Sequence, residues 1–588
     1  MMALQSDQSI EMNQIVQPLH TNQKDNKLSG GQLLKWMDAT ACLAAEKHAG
    51  NACVTASMDD LHFDQDITIG QVVNLRAKVN RAFNTSMEVG VVVSVEDLIT
   101  GEKGEVSRGF FTFVAFDAKH NKVQLSPIDP VTEEERLQYA LASERRRMRI
   151  RHGTDLKEMT EKQLSNNASP AKVQSGVKVR ETLIQSVELV LPPHANHHQS
   201  TFGGQILAWM VTLCSIAATR LGRTHAQLRS VDEVKFRGPS RVGDRVVIRA
   251  IVNNTFENSM EVGCRVEAYA VGGETRHINS AFFTFVAPDS NGSAKTLPVA
   301  IPETEDEKRR AAEAVARREI RAQRRAIRQS IGPVISIPWS PTNSQMLNYN
   351  NIEALTRLYE HTGWELVNSV QGVTLYKREI SGFLCVKSEF VVDCPACKVY
   401  GLMCNEEHRK EWDPFFADSK IIEVVDQDDD IYYFFLENPL GAATSSDDPP
   451  KVLEKKEKPK SSDSSSESSS RKPNDMVVLV SRRAPSDSKD HYIIAYRSVT
   501  HSAAPPVPEH NRVENLCSGW LIKGVPGEPN CTTLTYINQM TRELTEYVMA
   551  DLGKGTAVYA SRAHMLMGFL KENQSSERSG LRRQEAWW

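Results

Sequence analysis

The sequence predicts an α+β protein: two copies of one module, then a third region of a different kind. In each module a long buried helix is wrapped by antiparallel strands. Three observations carry this expectation: an internal repeat, one apolar segment of helical length in each copy, and a change of pattern from about residue 342. Shifting the chain by 173 residues places Gly30-Gly31-Gln32 on Gly203-Gly204-Gln205 and Trp36-Met37 on Trp209-Met210. The same shift puts Ser57, Asp59 and Phe63 on Ser230, Asp232 and Phe236. It also puts Ser86-Met87-Glu88-Val89-Gly90 on Ser259-Met260-Glu261-Val262-Gly263, and after a slip of one residue Phe110 to Ala115 matches Phe282 to Ala287. Identity clustered over about 100 residues marks a duplication, hence two copies of one fold.

Each copy reads in the same order. A loop ends at the Gly-Gly pair, and an apolar helical segment follows, Gln32 to His48 and Gln205 to Leu221, apolar nearly all round and so expected inside. Strand-like runs come next, among them VVNLRAKVNRAF, SMEVGVVVSVEDL and GFFTFVAF. A charged helix closes each copy, 132–151 and 303–329, with acids first and bases last as the helix dipole favours. Its arginines read either as a solvated face or as partners for a phosphorylated ligand. The resulting boundaries are 8–130 for the first copy, 131–178 for its charged helix and linker (the linker being 154–178), 179–300 for the second copy and 301–341 for its helix and linker. The third region, 342–575, alternates strand-like runs such as FLCVKSEFVV, HYIIAYRSV and CSGWLIKG and ends in a helix-like stretch, 543–573. Its insertion at 447–475 is rich in Ser, Lys and Pro and too poor in apolar residues to repay ordering, so disorder is expected there.

Composition narrows the function classes. A chain of 588 residues, 40% hydrophobic and 24% charged, is an ordinary multidomain globular protein. A formal charge of −4 gives no reason to expect a nucleic acid as partner. No stretch reads as a transmembrane span, and the first 23 residues hold no Lys or Arg, so neither a secretory signal nor an Arg-rich transit peptide is visible. Ten scattered cysteines fit reduced thiols, and Cys394-Pro-Ala-Cys397, the one CxxC, has no second pair to make a zinc site. The expected compartment is the cytoplasm, with association with mitochondria as the alternative.

The chemistry sits at the Gly-Gly motif, HANHHQSTFGGQILAWM from His194 to Met210. Glycines ahead of a buried helix admit close approach and present N–H groups at its positive end, which suits a phosphate or a developing oxyanion. The lysine and spacing of a Walker loop are missing. The three histidines bring no acid or Cys with them and the first copy keeps only His20, so loop hydrogen bonding outweighs a metal site. Comparing copies isolates Asp38, a carboxylate on a buried helix whose counterpart is Val211. Such a group is costly unless it is hydrogen-bonded or has a task. Asn196 stands seven residues before the second Gly-Gly pair, and Asn22 eight before the first.

These motifs, with VTASMDDLHF, FRGPSRVGDR and, in the third region, EWDPFF, VVLVSRR and RVENLCSGWLI, resemble the acyl-CoA thioesterases that carry two hotdog domains and a C-terminal START lipid-binding domain. The brown-fat-inducible branch is the nearest pattern. The resemblance implies tandem hotdogs (a double hotdog), a START helix-grip fold, and hydrolysis of fatty acyl-CoA to fatty acid and CoA without a metal or other cofactor. It implies a site pairing Asn196 with Asp38, and a second pairing Asn22 with Val211 that lacks its acid. Asp38 would serve as general base or as nucleophile, Asn196 would orient water or thioester, and N–H groups near Gly203-Gly204 would hold the oxyanion. CoA contacts carry over to Ala56, Ser57, Met58, Thr85, Ser86, Met87, Arg147, Phe236, Arg237 and Gly238. The implied partners are acyl-CoA, a fatty acid or lysophospholipid in the START part, which would tune or feed the enzyme, and further copies of the chain as a trimer. Two other readings remain open: a CoA-ester sensor or carrier with little turnover, and a hotdog dehydratase.

Overall fold

The computed structural model describes residues 9–22, 26–166, 176–196, 199–270, 272–289, 293, 295–329, 337–380, 382–436, 472–540 and 558–573. Two compact units divide the chain, 1–319 and 320–588.

In the first unit the central helices are α1 (Gly30–Ala49) and, after α2 (Glu133–Asn166), α3 (Gly203–Gly222). The Gly-Gly pairs are the first two residues of α1 and α3, not the end of the preceding loops as the sequence suggests. The reason is a crossing: a Cβ on Gly31 would lie 3.1 Å from Ala208 Cα, and one on Gly204 2.8 Å from Lys35 Cα, so only glycine lets these first turns pack against the opposite helix. Among the described residues α3 alone is long and apolar enough, by length and composition, to cross a membrane; here it is a central helix with most of its length buried.

One sheet wraps both helices. Its antiparallel order runs through Ile10–Ile15, Val72–Ala82, Ser86–Glu96, Lys103–Phe116 and Ala52–Met58 of the first copy, then Val234–Phe236, Thr275–Val286, Ser259–Tyr269, Arg245–Thr255 and Ile184–Leu189 of the second. The copies join where Met58 pairs with Val234 and Ser57 with Lys235, and again where Leu61 and His62 pair with Val231 and Ser230. Alternating burial along Val72–Ala82 and Ser86–Glu96 shows one face turned to the helix and one outward. The buried apolar residues of both copies form one contiguous core.

The charged helices are longer and better anchored than their sequence suggests. Helix α2 runs on to Asn166, through much of the stretch read as linker. Arg145 forks onto Glu88 and lies 3.9 Å over the Phe110 ring; on α4 (Glu305–Gln329), Arg317 does the same with Glu261 and lies 3.5 Å over Phe282. Asn80 and Asn253 each donate to the same carboxylates at 3.1 Å. Burial would raise the Glu88 carboxyl, but Arg145 and Arg149 outweigh it and hold it at about 2. These arginines are therefore neither a solvated face nor free for phosphate: they bolt the closing helix to the sheet. The repeated Ser-Met-Glu-Val-Gly run supplies the bolt's acid, and its glycines, Gly90 and Gly263, leave room for Asn80 and Asn253.

In the second unit the sheet order is Glu365–Val370, Val373–Ile380, Phe383–Val392, Glu528–Gln539, Cys517–Val525, Tyr492–Thr500, Asn474–Arg483, Asp429–Leu436 and Phe416–Val424. Helix α5 (Ser344–Glu360) packs Ile352, Leu355 and Leu358 on one face. The helix over 558–573 presses Tyr559, Ala563, Leu566 and Phe569 against the other, where Phe390, Trp412, Tyr496, Trp520 and Tyr536 stand. This is a sheet gripped by helices, α+β like the first unit. The Ser-rich insertion 447–475 falls outside the described residues except for its last four positions, and the glycine interruption at 553–555 falls outside them altogether.

Candidate active site

Asp38 sits in the third turn of α1 and is fully buried. Its Oδ2 accepts a 2.7 Å hydrogen bond from the Gly204 N–H of α3, and its Oδ1 accepts one of 2.7 Å from Thr55 Oγ1 on Ala52–Met58. The carboxylate and hydroxyl come from the first copy and the amide from the second, so the site exists only where the copies meet. Burial pushes the Asp38 carboxyl up to about 6, against the pull of the Gly204 and Thr55 hydrogen bonds. A carboxylate held near neutrality, dry and aimed by two donors is built as a proton acceptor.

The loop before α3 carries Asn196. Its Oδ1 accepts from the Ser200 N–H at 3.1 Å, which ties the side chain to its own loop. His194 Nδ1 accepts from the Leu191 N–H, and the ring meets Trp209 edge-on at 5.0 Å. His20 does the same with Gln17 and Trp36 at 4.8 Å. These histidines shape the two loops; His197 and His198 lie outside the described residues. Among the described residues no His, Cys, Asp and Glu cluster has metal-binding geometry.

One expected role is corrected by this geometry. The Gly204 N–H cannot be a free oxyanion donor, because Asp38 already holds it; Gly203, one residue earlier in the same first turn, is the remaining glycine of the pair. Thr55 was not singled out by the sequence, although the repeat places it on Leu228, the same polar-to-apolar contrast that marks Asp38 against Val211.

The second crossing repeats this geometry without its chemistry. A Cβ on Gly203 would lie 3.0 Å from Thr55 Cβ, and one on Gly30 would lie 2.7 Å from Leu228 Cδ2. Gly204 abuts Asp38; Gly31 abuts Val211 at 3.3 Å. Beside this second crossing lies a cavity of about 280 Å³ whose walls include Asn22, Gly30, Val211 and Leu228.

The residues expected to touch CoA divide. Ser57 and Ser86 line a cavity of about 260 Å³ together with Thr112, Arg146, Arg149 and Lys235. Arg147, the arginine expected there, does not line it; the turn of α2 presents Arg146 instead, stacked 4.4 Å over Phe83. Arg149 is committed to Asp59 and Glu88. Met58 and Met87 are fully buried core residues, so their side chains serve packing. Ala56 and Thr85 are half-buried, Phe236 stands against Gly203, Arg237 is exposed, and Gly238 faces open space.

The second unit holds a separate buried polar cluster. Asp413 Oδ2 accepts from Arg409 Nε at 2.9 Å and from Arg562 at 2.6 Å. Burial alone would raise the Asp413 carboxyl; Arg562 and Arg409 hold it below its ordinary value. Arg562 Nε, Trp412 Nε1 and Trp520 Nε1 are buried and have no acceptor among the described residues.

Comparison with known proteins returns two family models. The thioesterase superfamily model matches residues 26–102 and 198–270, and the START domain model matches 344–448 and 463–567. Acyl-coenzyme A thioesterase 11 of Mus musculus is 40% identical over 570 residues, covering 96% of this chain and 90% of that one. Acetyl-coenzyme A thioesterase of Mus musculus is 41% identical over 548 residues, covering 92% and 93%. The solved structure of an apo-hexameric acyl-CoA thioesterase shares 34% identity over 26% of this chain and 97% of its own, with a TM-score of 0.25.

Proposed function

This chain belongs to the acyl-CoA thioesterases that join two hotdog folds to a START domain, and from that premise we propose that it cleaves fatty acyl-CoA at one composite site per chain, with Asp38 as general base. The observation that carries the reading is the fully buried Asp38 carboxylate of one copy, gripped by the Gly204 amide of the other. Asp38 takes a proton from water as the water oxygen attacks the thioester carbonyl. The C–S bond then breaks, CoA leaves as thiolate, and the proton passes to it. Asn196 donates to the carbonyl oxygen as charge grows there. Support for the Asn196–Asp38 pairing comes from the other crossing, where Asn22 and Val211, the counterparts of both residues, line one cavity. Arg146 beside Ser57 and Ser86 is the cation suited to a CoA phosphate; Lys235, in the same wall, already pairs with Glu233 and donates to the Arg149 carbonyl.

The buried donors Arg562, Trp412 and Trp520 support a START ligand with an oxygen-rich head, as a fatty acid or lysophospholipid has. Self-association, proposed as a trimer of chains, finds a candidate contact in the edge strand Ile184–Leu189, where Val187 and Leu189 stand about half exposed on the outward face.

The test is thiol release from palmitoyl-CoA and shorter esters. Asp38→Ala is expected to lower kcat by about 10²–10⁴-fold, the usual share of a positioned base. Full activity in a folded Asp38→Ala protein refutes the assignment.

A further inference from the structure

Resting on the reading of Asp38 and Gly204 as the hydrolytic centre, we propose that the second crossing is a retained binding site, one that holds the acyl end of a long-chain acyl-CoA without cleaving it. Three observations on one cavity carry this. First, the space is there: about 280 Å³ beside α1 and α3, close to the size of small ligand pockets. Second, the groups that would activate water are gone together. Val211 stands where the other crossing has Asp38, and Leu228 where it has Thr55, so the thioester meets neither a base nor the hydroxyl that aims it. Third, what replaced them is apolar but not space-filling. Leu28, Leu33, Phe63, Val211, Leu228 and Phe285 form the apolar part of the wall, and Asn22, Lys27, Asp66 and Gln227 stand in its polar part. The Lys27–Asp66 ion pair, 2.6 Å long, sits in the same wall with both members partly exposed.

Two apolar side chains, Val211 and Leu228, at the positions that hold the acid and the hydroxyl in the other crossing give the inner end of a standing cavity a surface suited to an alkyl chain. Burying four methylenes of such a chain contributes about 3 kcal/mol, roughly a hundredfold in affinity. The same ester is thus cleaved at one crossing and only held at the other.

The experiment uses the full chain and a non-hydrolysable thioether, S-hexadecyl-CoA, followed by titration calorimetry. Ser215→Trp places an indole in the cavity from α3, away from Asp38, Thr55 and Gly204; unchanged palmitoyl-CoA hydrolysis shows that the variant is folded. The wild type is expected to bind one equivalent more per chain than Ser215→Trp. Equal stoichiometry and affinity in the two proteins overturns the proposal, including the case where an extra equivalent binds elsewhere, such as in the START unit. A second arm asks whether the crossing lacks only the missing pair. In an Asp38→Asn background, Val211→Asp with Leu228→Thr is expected to restore at least tenfold of the lost hydrolysis, and no recovery in a protein that still binds the thioether counts against retained geometry. Full activity in Asp38→Asn alone refutes the hydrolytic reading instead, so the two failures look different.

Discussion

At the scale of single residues, Asp38 carries a cost that its proposed role as base explains. Its folded-state pKa, about 6, lies above the ordinary 3.8, so the folded protein holds this proton more tightly than the unfolded chain does. The contribution to stability is therefore present below pH about 4 and lost as pH rises through about 6. At neutral pH the ionised group costs about 3 kcal/mol. Asp38→Asn keeps an acceptor for Gly204 and a partner for Thr55, so its Tm at pH 7 is expected to rise even as turnover collapses; a matched fall in Tm would show that the charge is not costly. As base, Asp38 works only when ionised, so kcat/KM should climb with pH and level off above about 6. Thr55→Val removes a hydroxyl bond to the charged form, a bond of about 1.5 kcal/mol or more, and should move that midpoint up by about one pH unit. An unmoved midpoint would assign Thr55 to packing alone. Asp38 was legible in the sequence because a carboxylate among buried helix residues is conspicuous. Thr55 was not, because threonine is an ordinary strand residue, and only its contrast with Leu228 across the repeat marks it.

At the scale of elements, the closing helices depend on buried charge pairs. Glu261 is fully buried and takes both prongs of Arg317. Arg317→Ala strands that carboxylate and should cost about 3–5 kcal/mol, read as a lower denaturation midpoint, with faster amide exchange along α4. A shift below about 1 kcal/mol would mean that the pair is idle. The sequence shows these helices plainly through their acid-first, base-last order. Their arginines read as surface, because charge runs generally are and because the acids that capture them, Glu88 and Glu261, lie more than fifty positions away. The Gly-Gly pairs were legible as close-approach points. That they open the helices rather than close the loops follows from the crossing with the opposite helix, a contact between copies that local sequence does not reveal.

At the scale of the whole first unit, the two crossings are related by the repeat and unequal in chemistry. Asn196→Ala should lower kcat by about 10²-fold or more, the usual loss for a donor to a developing oxyanion, while Asn22→Ala leaves it unchanged. Equal losses, measured as thiol release at saturating ester, would show two working sites. The register of 173 made the duplication and its α+β fold readable at once, since each copy repeats the same strand pattern around the same helix. The joining of the copies into one sheet through Ser57–Lys235 and His62–Ser230 was not readable, because backbone pairing leaves no fixed residue signature. That join has a consequence for inheritance. In a symmetric pair of identical subunits, any coding change strikes both pockets alike, and replacing the acid would silence the enzyme outright. With both halves on one polypeptide, each pocket answers to its own codons. One could give up cleavage and take on another duty while its twin went on working.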